Sequence, residues 1–157
     1  MCEGPVGMMK YLGYGKIIKK KVEMKPKKRL CMLAGGSGIT PLYAVALASS
    51  LANDGVEIWF LFSNKTKSDI LIKDKLDKLA QINKNFHLLY TLTRHDEAKH
   101  GKWDGETGRV SYDMLKKHGW PLVPADDLYY ASCGPKEFGA AIRDMLASKG
   151  FVENEHY

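Results

Sequence analysis

The stretch of sequence that decides the fold is Arg29–Pro41, which reads RLCMLAGGSGITP. Its first part, Arg29–Ala34, is a short and nearly continuous apolar run, typical of a strand buried on both faces of a parallel sheet. Glycines follow at once, and Thr40 and Pro41 then predict a helix start, since threonine is a good N-cap and proline suits the first helical position. We therefore predict a strand, a glycine turn and a helix in direct succession.

The alternation of strand and helix continues towards the C-terminus. Apolar runs predict further buried strands at Glu57–Ser63, Phe86–Leu92 and Leu128–Ser132. Helical periodicity predicts the helices around them: one ending near Ala52, one along Ile72–Ile82, a short one capped by Ser111 and a final one along Phe138–Leu146. We predict an α/β fold with a parallel β-sheet flanked by helices.

Two segments do not follow this alternation. Residues 1–28 are irregular and rich in glycine and lysine, with a short strand candidate at Ile17-Ile18 and a turn around Pro26. We therefore expect the main domain to comprise residues 29–157. The polar stretch Thr93–Gly108 is predicted to be one long loop, of a kind that is usually functional or disordered.

Composition excludes several classes of protein. With 157 residues, 45% of them apolar, the chain suits one globular domain and not a disordered or collagen-like protein. No apolar run reaches the roughly 20 residues of a membrane span, and the first residues lack a signal-peptide core, so we predict no membrane span and a cytoplasmic location. The three cysteines form no C-x-x-C pair and the histidines lack zinc-ligand spacing, so we predict free thiols and no metal site.

The net charge of +6 is unevenly distributed, because eight of the 24 Lys and Arg residues lie between Lys16 and Arg29. This basic stretch has two interpretations: a solvated hairpin edge protected by lysines, or a surface for a negatively charged partner. No stacking aromatic residue or recognition-helix pattern accompanies the charge, so we predict no nucleic-acid binding.

Ligands of parallel sheets bind beyond the carboxyl ends of the strands, and four such ends here are rich in small or polar residues. We expect these ends to form one crevice. The candidate site residues are Gly35, Gly36, Ser37, Gly38, Ile39, Thr40 and Pro41 after the first strand, Ser63, Asn64 and Lys65 after the second, Thr93 and Arg94 after the third, and Cys133, Gly134, Pro135 and Phe138 after the fourth.

The pattern G-x-G-x-x-P from Gly36 to Pro41 is typical of a phosphate-binding turn. Without β-carbons, its backbone N–H groups can approach a pyrophosphate, and the following helix offers unpaired N–H groups and a partial positive charge. The alternative is a tight structural turn that binds nothing. The pattern differs from the common dinucleotide fingerprint, since no acidic residue follows the second strand before Asp69. It therefore indicates a different dinucleotide-binding family.

Four motifs occur in the order and spacing of a known family. They are Gly4-Pro5-Val6-Gly7 with Tyr11, Leu33–Pro41, Phe62–Thr66 with Asp69-Ile70-Leu71, and Cys133-Gly134-Pro135. With them the chain resembles, over essentially its whole length, the NADH-binding half of cytochrome b5 reductase and of the flavin-containing end of assimilatory nitrate reductase. Both belong to the ferredoxin-reductase-like flavoenzymes.

The resemblance implies hydride transfer from NADH or NADPH to FAD, followed by single-electron delivery to a haem or iron–sulfur partner. It implies that Gly35–Pro41 hold the pyrophosphate, with Thr40 near the contact between flavin and nicotinamide. Cys133, with Gly134 and Pro135, is implied to lie beside the nicotinamide and orient it. Taken by itself, Cys133 would be interpreted as a small buried residue at a strand end. For the basic stretch, we hypothesise an acidic haem protein or haem domain such as cytochrome b5 as the partner.

The chain departs from the family pattern in its first part. The family binds FAD on an upstream β-barrel with an R-x-Y-[ST] motif, which this sequence lacks. We interpret the chain as a nucleotide-binding fragment, or the product of a shortened gene, in which residues 1–28 are a remnant of the FAD-binding barrel domain and a linker. Alone it should bind nucleotide and transfer no electrons. The alternative is a non-enzymatic nucleotide-sensing or interaction domain that keeps the fold.

A second departure concerns the 2′-phosphate of the nucleotide. NADH-preferring members have an acidic residue just after the third strand, where this chain has Thr93 and Arg94. These residues, with Lys65 nearby, would tolerate or favour a 2′-phosphate, because arginine binds phosphate through a bidentate fork. Arginine at this position is also usual in NADH enzymes, so NADH and NADPH both stay open.

Overall fold

A computed structural model describes residues 9–157 of the chain, apart from the side chain of His100. Strands and helices alternate from residue 29 onwards, as predicted. In chain order the elements are β1 (Met9–Gly13), β2 (Lys16–Lys19), β3 (Val22–Glu23), β4 (Arg29–Gly35), α1 (Ile39–Ala52), β5 (Glu57–Asn64), α2 (Lys73–Ile82), β6 (Phe86–Leu92), α3 (Glu97–His100), β7 (Glu106–Thr107), α4 (Tyr112–Lys117), β8 (Leu128–Cys133) and α5 (Lys136–Ala147).

The main sheet has five parallel strands in the order β7-β6-β5-β4-β8, which confirms the predicted α/β fold. Strand β4 lies between β5 and β8, and every residue from Leu30 to Gly35 is buried. Alternate side chains of β4 pack into two separate cores, because successive residues of a strand point to opposite faces. Met32 belongs to the core beneath α1 and α2, and Leu33 to the core beneath α4 and α5.

The predicted helix start at Thr40 is wrong. Helix α1 begins at Ile39, its N-cap residue is Gly38, and no side chain caps it. The Thr40 hydroxyl instead donates to the Ser37 carbonyl oxygen at 3.2 Å. The reason is that Gly36–Gly38 form a 3-10 turn that runs directly into α1. Pro41 lies in the first helical turn, where its missing N–H would have had no intrahelical partner.

The prediction of one long loop over Thr93–Gly108 is wrong, because this stretch contains α3 and β7. Strand β7 pairs with β6 only through Thr91 and Leu92, and so becomes the fifth strand of the sheet. A two-residue strand with a glutamate and a threonine has no apolar run, so periodicity could not reveal it.

The segment before β4 folds into more structure than the single predicted strand. Strands β1, β2 and β3 form an antiparallel sheet, and Ile17 of β2 lies in the core, only 1% exposed. A β-carbon on Gly15 would lie 1.8 Å from the carbonyl oxygen of Lys27, so glycine allows the small sheet to approach the next segment. The motif at Gly4–Gly7 lies outside the described residues, and the domain boundary after residue 28 stays a prediction.

Candidate nucleotide-binding site

The parallel sheet brings the predicted strand ends together at one edge. Gly35 at the end of β4 lies in register with Ser63 of β5, and Ala34 lies in register with Cys133 of β8. Beyond β6, the backbone N–H of Thr93 donates to the Asn64 carbonyl oxygen at 2.9 Å. Residues from all four predicted strand ends therefore meet in one crevice.

Two glycine turns are in direct contact in this crevice. A β-carbon on Gly38 would lie 2.1 Å from the carbonyl oxygen of Cys133, and one on Gly134 would lie 3.0 Å from the Cα of Gly35. A β-carbon on Gly35 would lie 3.1 Å from the ring of Phe138. The turn after β4 and the turn after β8 thus depend on glycine to approach each other, which sequence spacing alone could not show.

The turn after β4 has a buried side and an exposed side. Gly38 and Ile39 are buried, and the Ile39 side chain packs in the core, so only its backbone could meet a ligand. Ser37, Thr40 and Pro41 are exposed. Gly36 has a φ of +53°, and a β-carbon there would meet no atom within 4 Å. Glycine is therefore favoured at this position because of the backbone conformation and not because of close packing.

A cavity of about 300 Å³ opens beside these turns. From the predicted set it is lined by Ser63, Thr93 and Phe138, and from outside that set by Arg109, Val110, Glu137, Ala141 and Ile142. Sequence reasoning missed Arg109. Arg109 lies two residues after β7, a strand without an apolar run, so no local pattern in the sequence could have identified it.

Lys65 and Arg94 lie side by side but not in this cavity. The backbone N–H of Arg94 donates to the Lys65 carbonyl oxygen at 2.9 Å, and both side chains are exposed. Of the three residues predicted to meet a 2′-phosphate (Lys65, Thr93 and Arg94), Thr93 is the one that lines the cavity. Arg109, which was not predicted, lines it as well. Arg109 is therefore the arginine that lines this cavity together with Thr93, and the role of Arg94 stays a prediction.

The residues present fit a dinucleotide. The glycine contacts leave backbone without β-carbons at the turn after β4, where a pyrophosphate needs close approach. Asn64 is only 6% exposed, and its side-chain Nδ2 is buried without a hydrogen-bond partner in the described part of the chain. A buried donor of this kind is unfavourable unless an acceptor meets it, and a bound ligand could supply that acceptor.

Cys133 is a free, half-buried cysteine at the end of β8. Cys31, also free, is buried in β4, and burial raises the pKa of its thiol far above the usual range. A buried thiol with a raised pKa is inert, so Cys31 is a core residue. Among residues 9–157, the structure shows no group of His, Cys, Asp and Glu side chains suited to a metal ion.

The basic stretch divides into internal and exposed members. Lys27 is buried and donates to the carbonyl oxygens of Asp126 and Glu155 at 2.8 and 3.0 Å. Arg29 forms an ion pair with Asp127 at 2.6 Å, and the Lys19 ammonium donates to the Tyr157 carbonyl oxygen. These three side chains hold the fold together and do not form a free surface. The other five, Lys16, Lys20, Lys21, Lys25 and Lys28, are exposed.

Comparisons with known proteins identify the family of the chain. The chain is 36% identical to NADH-cytochrome b5 reductase 2 of Xenopus laevis over 96% of its own length, and 31% identical to nitrate reductase [NADPH] of Aspergillus niger over 98%. It spans about half of the first relative, 51%, and 17% of the second. The cytochrome b5 reductase domain of Ulva prolifera nitrate reductase superposes with a TM-score of 0.84 at 30% identity, covering 97% of this chain and 56% of that one.

These matches confirm the resemblance inferred from the four motifs. No helix in residues 9–157 is both long and apolar enough to cross a membrane. The family described as the oxidoreductase NAD-binding domain matches residues 32–144, which is most of the chain. The chain therefore belongs to the oxidoreductase NAD-binding domain family.

Proposed function

We propose that this chain is the NAD(P)H-binding module of a flavin-dependent reductase that passes hydride to FAD and electrons on to a haem-type acceptor. The observation that carries the proposal is the contact between Gly38 and the Cys133 carbonyl, which joins the phosphate-binding turn to the nicotinamide-side turn. The relatives named as cytochrome b5 reductase and nitrate reductase support it.

In this proposal the chain binds and orients the nucleotide. The turn Gly35–Pro41 holds the pyrophosphate, and Asn64 donates to a ligand oxygen near the end of β5. Cys133, Gly134 and Pro135 lie beside the nicotinamide and exclude water from one side of it. An FAD group held by an upstream barrel domain would supply the hydride-accepting and single-electron chemistry. The segment before β4 is then the connection to that domain, and the chain alone transfers no electrons.

We propose NADPH as the preferred nucleotide, because Arg109 and Thr93 line the same cavity. Arg109 is exposed and forms no ion pair with any described residue, so its guanidinium is available to a phosphate. Thr93 adds no negative charge that would repel a 2′-phosphate. Glu137 is the acidic residue in the cavity wall, at the first turn of α5.

Calorimetric titration of the chain with NADPH and NADH tests this preference. NADPH should bind more tightly, and Arg109→Gln should weaken NADPH binding about tenfold while leaving NADH nearly unchanged, since a hydrogen bond to a charged group is lost. Arg143→Gln, which removes an exposed arginine of α5 outside the cavity, is the matched control. Tighter binding of NADH, or equal losses for both nucleotides, would contradict the NADPH assignment.

We further propose an acidic haem partner for the exposed lysines of the small sheet. Lys20 and Lys21 form the turn between β2 and β3 with φ values of +48° and +68°, a conformation that favours glycine or asparagine. Lysine at two strained turn positions supports a role in binding a partner, since strain of this kind concentrates at functional sites.

Free cysteines suit the cytoplasm, where we place this activity.

The salt dependence of electron transfer tests the partner surface. In this chain joined to its FAD-binding domain, Lys20→Glu with Lys21→Glu should flatten the salt dependence of haem-protein reduction, because complementary charge speeds encounter. Lys75→Glu with Lys78→Glu, at two exposed positions of α2, changes the net charge by the same amount and is the control. An unchanged salt dependence in the double variant would rule this surface out. The double variant leaves Lys19 in place, because Lys19 binds the Tyr157 carbonyl.

A further inference from the structure

The outer edge of β6 is only partly covered by another strand. Strand β6 pairs with β5 from Phe86 to Leu92, but it pairs with β7 only at Thr91 and Leu92. Beside the uncovered part lies a cavity of about 430 Å³, bounded by Leu88–Tyr90 on one side and by Lys102–Gly105 on the other. We call it the β6-edge pocket. It shares no lining residue with the cavity at Ser63, Thr93 and Arg109.

Backbone N–H groups of β6 without a described hydrogen-bond partner point towards this pocket. The backbone N–H of Ile58 donates to the Asn85 carbonyl, and the backbone N–H of Thr93 donates to the Asn64 carbonyl. The backbone N–H and C=O groups of odd-numbered residues in this strand therefore point towards β5. On the opposite edge of β6, the Leu92 carbonyl accepts a hydrogen bond from the Gly108 N–H. The backbone groups of even-numbered residues therefore point away from β5. The N–H groups of Leu88 and Tyr90 therefore point to the pocket side and have no described hydrogen-bond partner.

The wall of the pocket carries an excess of positive charge. Lys67, Lys73 and Lys102 line it, against Asp104 as the one carboxylate in its lining. Lys67 forms no ion pair with a described residue, and Lys102 lies 3.9 Å from Asp104 with both side chains exposed, an arrangement that contributes little. Lys73 is already paired with Asp77 at 2.5 Å. Lys67 and Lys102 are thus the two charges available to a ligand.

Two aromatic rings, Trp103 and Tyr90, line the pocket, and the Lys73 ammonium lies over one face of the Tyr90 ring, 5.0 Å from its centroid. The centroids of Tyr90 and Trp103 lie 6.3 Å apart in an edge-on arrangement. Their polar atoms are already used, since Trp103 Nε1 donates to the Glu106 carbonyl and the Tyr90 hydroxyl donates to Asp77, both at 2.8 Å. A β-carbon on Gly105 would lie 2.6 Å from the indole, so glycine is needed for the indole to occupy this place.

We propose that the β6-edge pocket is a second ligand site, which binds a small planar aromatic anion. Its volume falls in the range of about 300–1,000 Å³ that is usual for small-molecule sites. The ring of the ligand packs against Trp103 and Tyr90, and its negative charge lies between Lys67 and Lys102. The unpaired N–H groups of β6 favour the same anion. This site does not depend on the nucleotide function proposed above.

NMR titration of the ¹⁵N-labelled chain with 2-naphthoate tests the proposal. Shifts should be confined to Leu88–Tyr90 and Lys102–Gly105, and saturating NADPH should leave them unchanged. The neutral analogue 2-naphthalenemethanol and the non-aromatic cyclohexanecarboxylate should each bind more weakly. Shifts at Gly35–Pro41, competition by NADPH, or no shifts at millimolar 2-naphthoate would each overturn the proposal.

Charge variants provide the second arm of the test. Lys67→Gln and Lys102→Gln should each weaken 2-naphthoate binding about threefold, as expected for a partly exposed ion pair. Lys75→Gln removes an exposed lysine of α2 outside the pocket and should have no effect. Both pocket lysines are exposed, so neither variant endangers folding. Equal binding by all three variants and the unmodified chain would show that the pocket does not recognise charge.

Discussion

At the scale of single residues, Gly36 and Gly38 belong to one motif, but glycine is required at the two positions for different reasons. A β-carbon on Gly38 would meet the Cys133 backbone at 2.1 Å, where nothing flexible can yield, whereas one on Gly36 would enter open space. Gly36 is needed for its φ of +53°, in which an alanine is disfavoured by only about 1 kcal/mol. The motif therefore combines a packing requirement with a conformational one.

This difference predicts unequal effects of alanine at the two positions. Gly38→Ala should lower the free energy of unfolding by about 3 kcal/mol or more, because the turns after β4 and β8 must separate. Gly36→Ala should lower it by about 1 kcal/mol. Urea unfolding of both variants measures the difference. Equal losses would mean that the close approach of the two turns is not required for stability.

Sequence motifs identify only part of the candidate site. The sequence predicts Gly35, Gly38 and Gly134 because a glycine turn after a buried strand is a local pattern, and it predicts a role for Cys133 only through the family resemblance. Arg109 was not named, because its place in the cavity depends on the pairing of β7 with β6. A short polar strand leaves no periodic signal.

At the scale of elements, one carboxylate connects β1 to the end of α1. Asp54 accepts hydrogen bonds from the Tyr11 hydroxyl, from the Ser49 hydroxyl and from the backbone N–H of Tyr14 and Val56. Burial raises the pKa of Asp54, but these hydrogen bonds outweigh it and hold the pKa below its usual value. Asn53, with φ of +47°, ends the helix and presents Asp54 to both elements.

This junction predicts a pH-dependent stability. Because the pKa of Asp54 is lowered on folding, its contribution is present above its unfolded pKa of about 3.9 and is lost as pH falls through the folded value. Asp54→Asn should therefore lower the free energy of unfolding by about 1–2 kcal/mol at pH 7 and by less at pH 2–3. Urea unfolding across this range measures the difference. A loss that does not change with pH would contradict the role of the charged carboxylate.

At the scale of the whole molecule, we expect nucleotide binding and folding to be coupled. The site is assembled from the ends of β4, β5 and β8, and exists only when the sheet is formed. A ligand that binds only the folded chain stabilises it by about 2.7 kcal/mol when present at 100 times its dissociation constant. NADPH should therefore raise the melting temperature of the isolated chain without any FAD.

A thermal-shift series tests this coupling. NADPH should raise the melting temperature more than NADH at equal concentration, and Arg109→Gln should bring the two shifts close together. 2-Naphthoate should raise the melting temperature of the Arg109→Gln variant as much as that of the unmodified chain, since the two pockets share no lining residue. No shift with either nucleotide would contradict nucleotide binding by the isolated chain.

The amino-acid sequence by itself determined the four buried strands and the helices α1, α2, α4 and α5 between and after them, the glycine turn and the family, because each is encoded in local runs and spacings. Tertiary structure alone decided that α1 begins at Ile39, that Arg109 lines the cavity with Thr93, and that Lys27 and Arg29 are bound internally. The reason is physical. Strand pairing and close approach between turns join residues far apart in the chain, and no local pattern encodes which partner a side chain will meet.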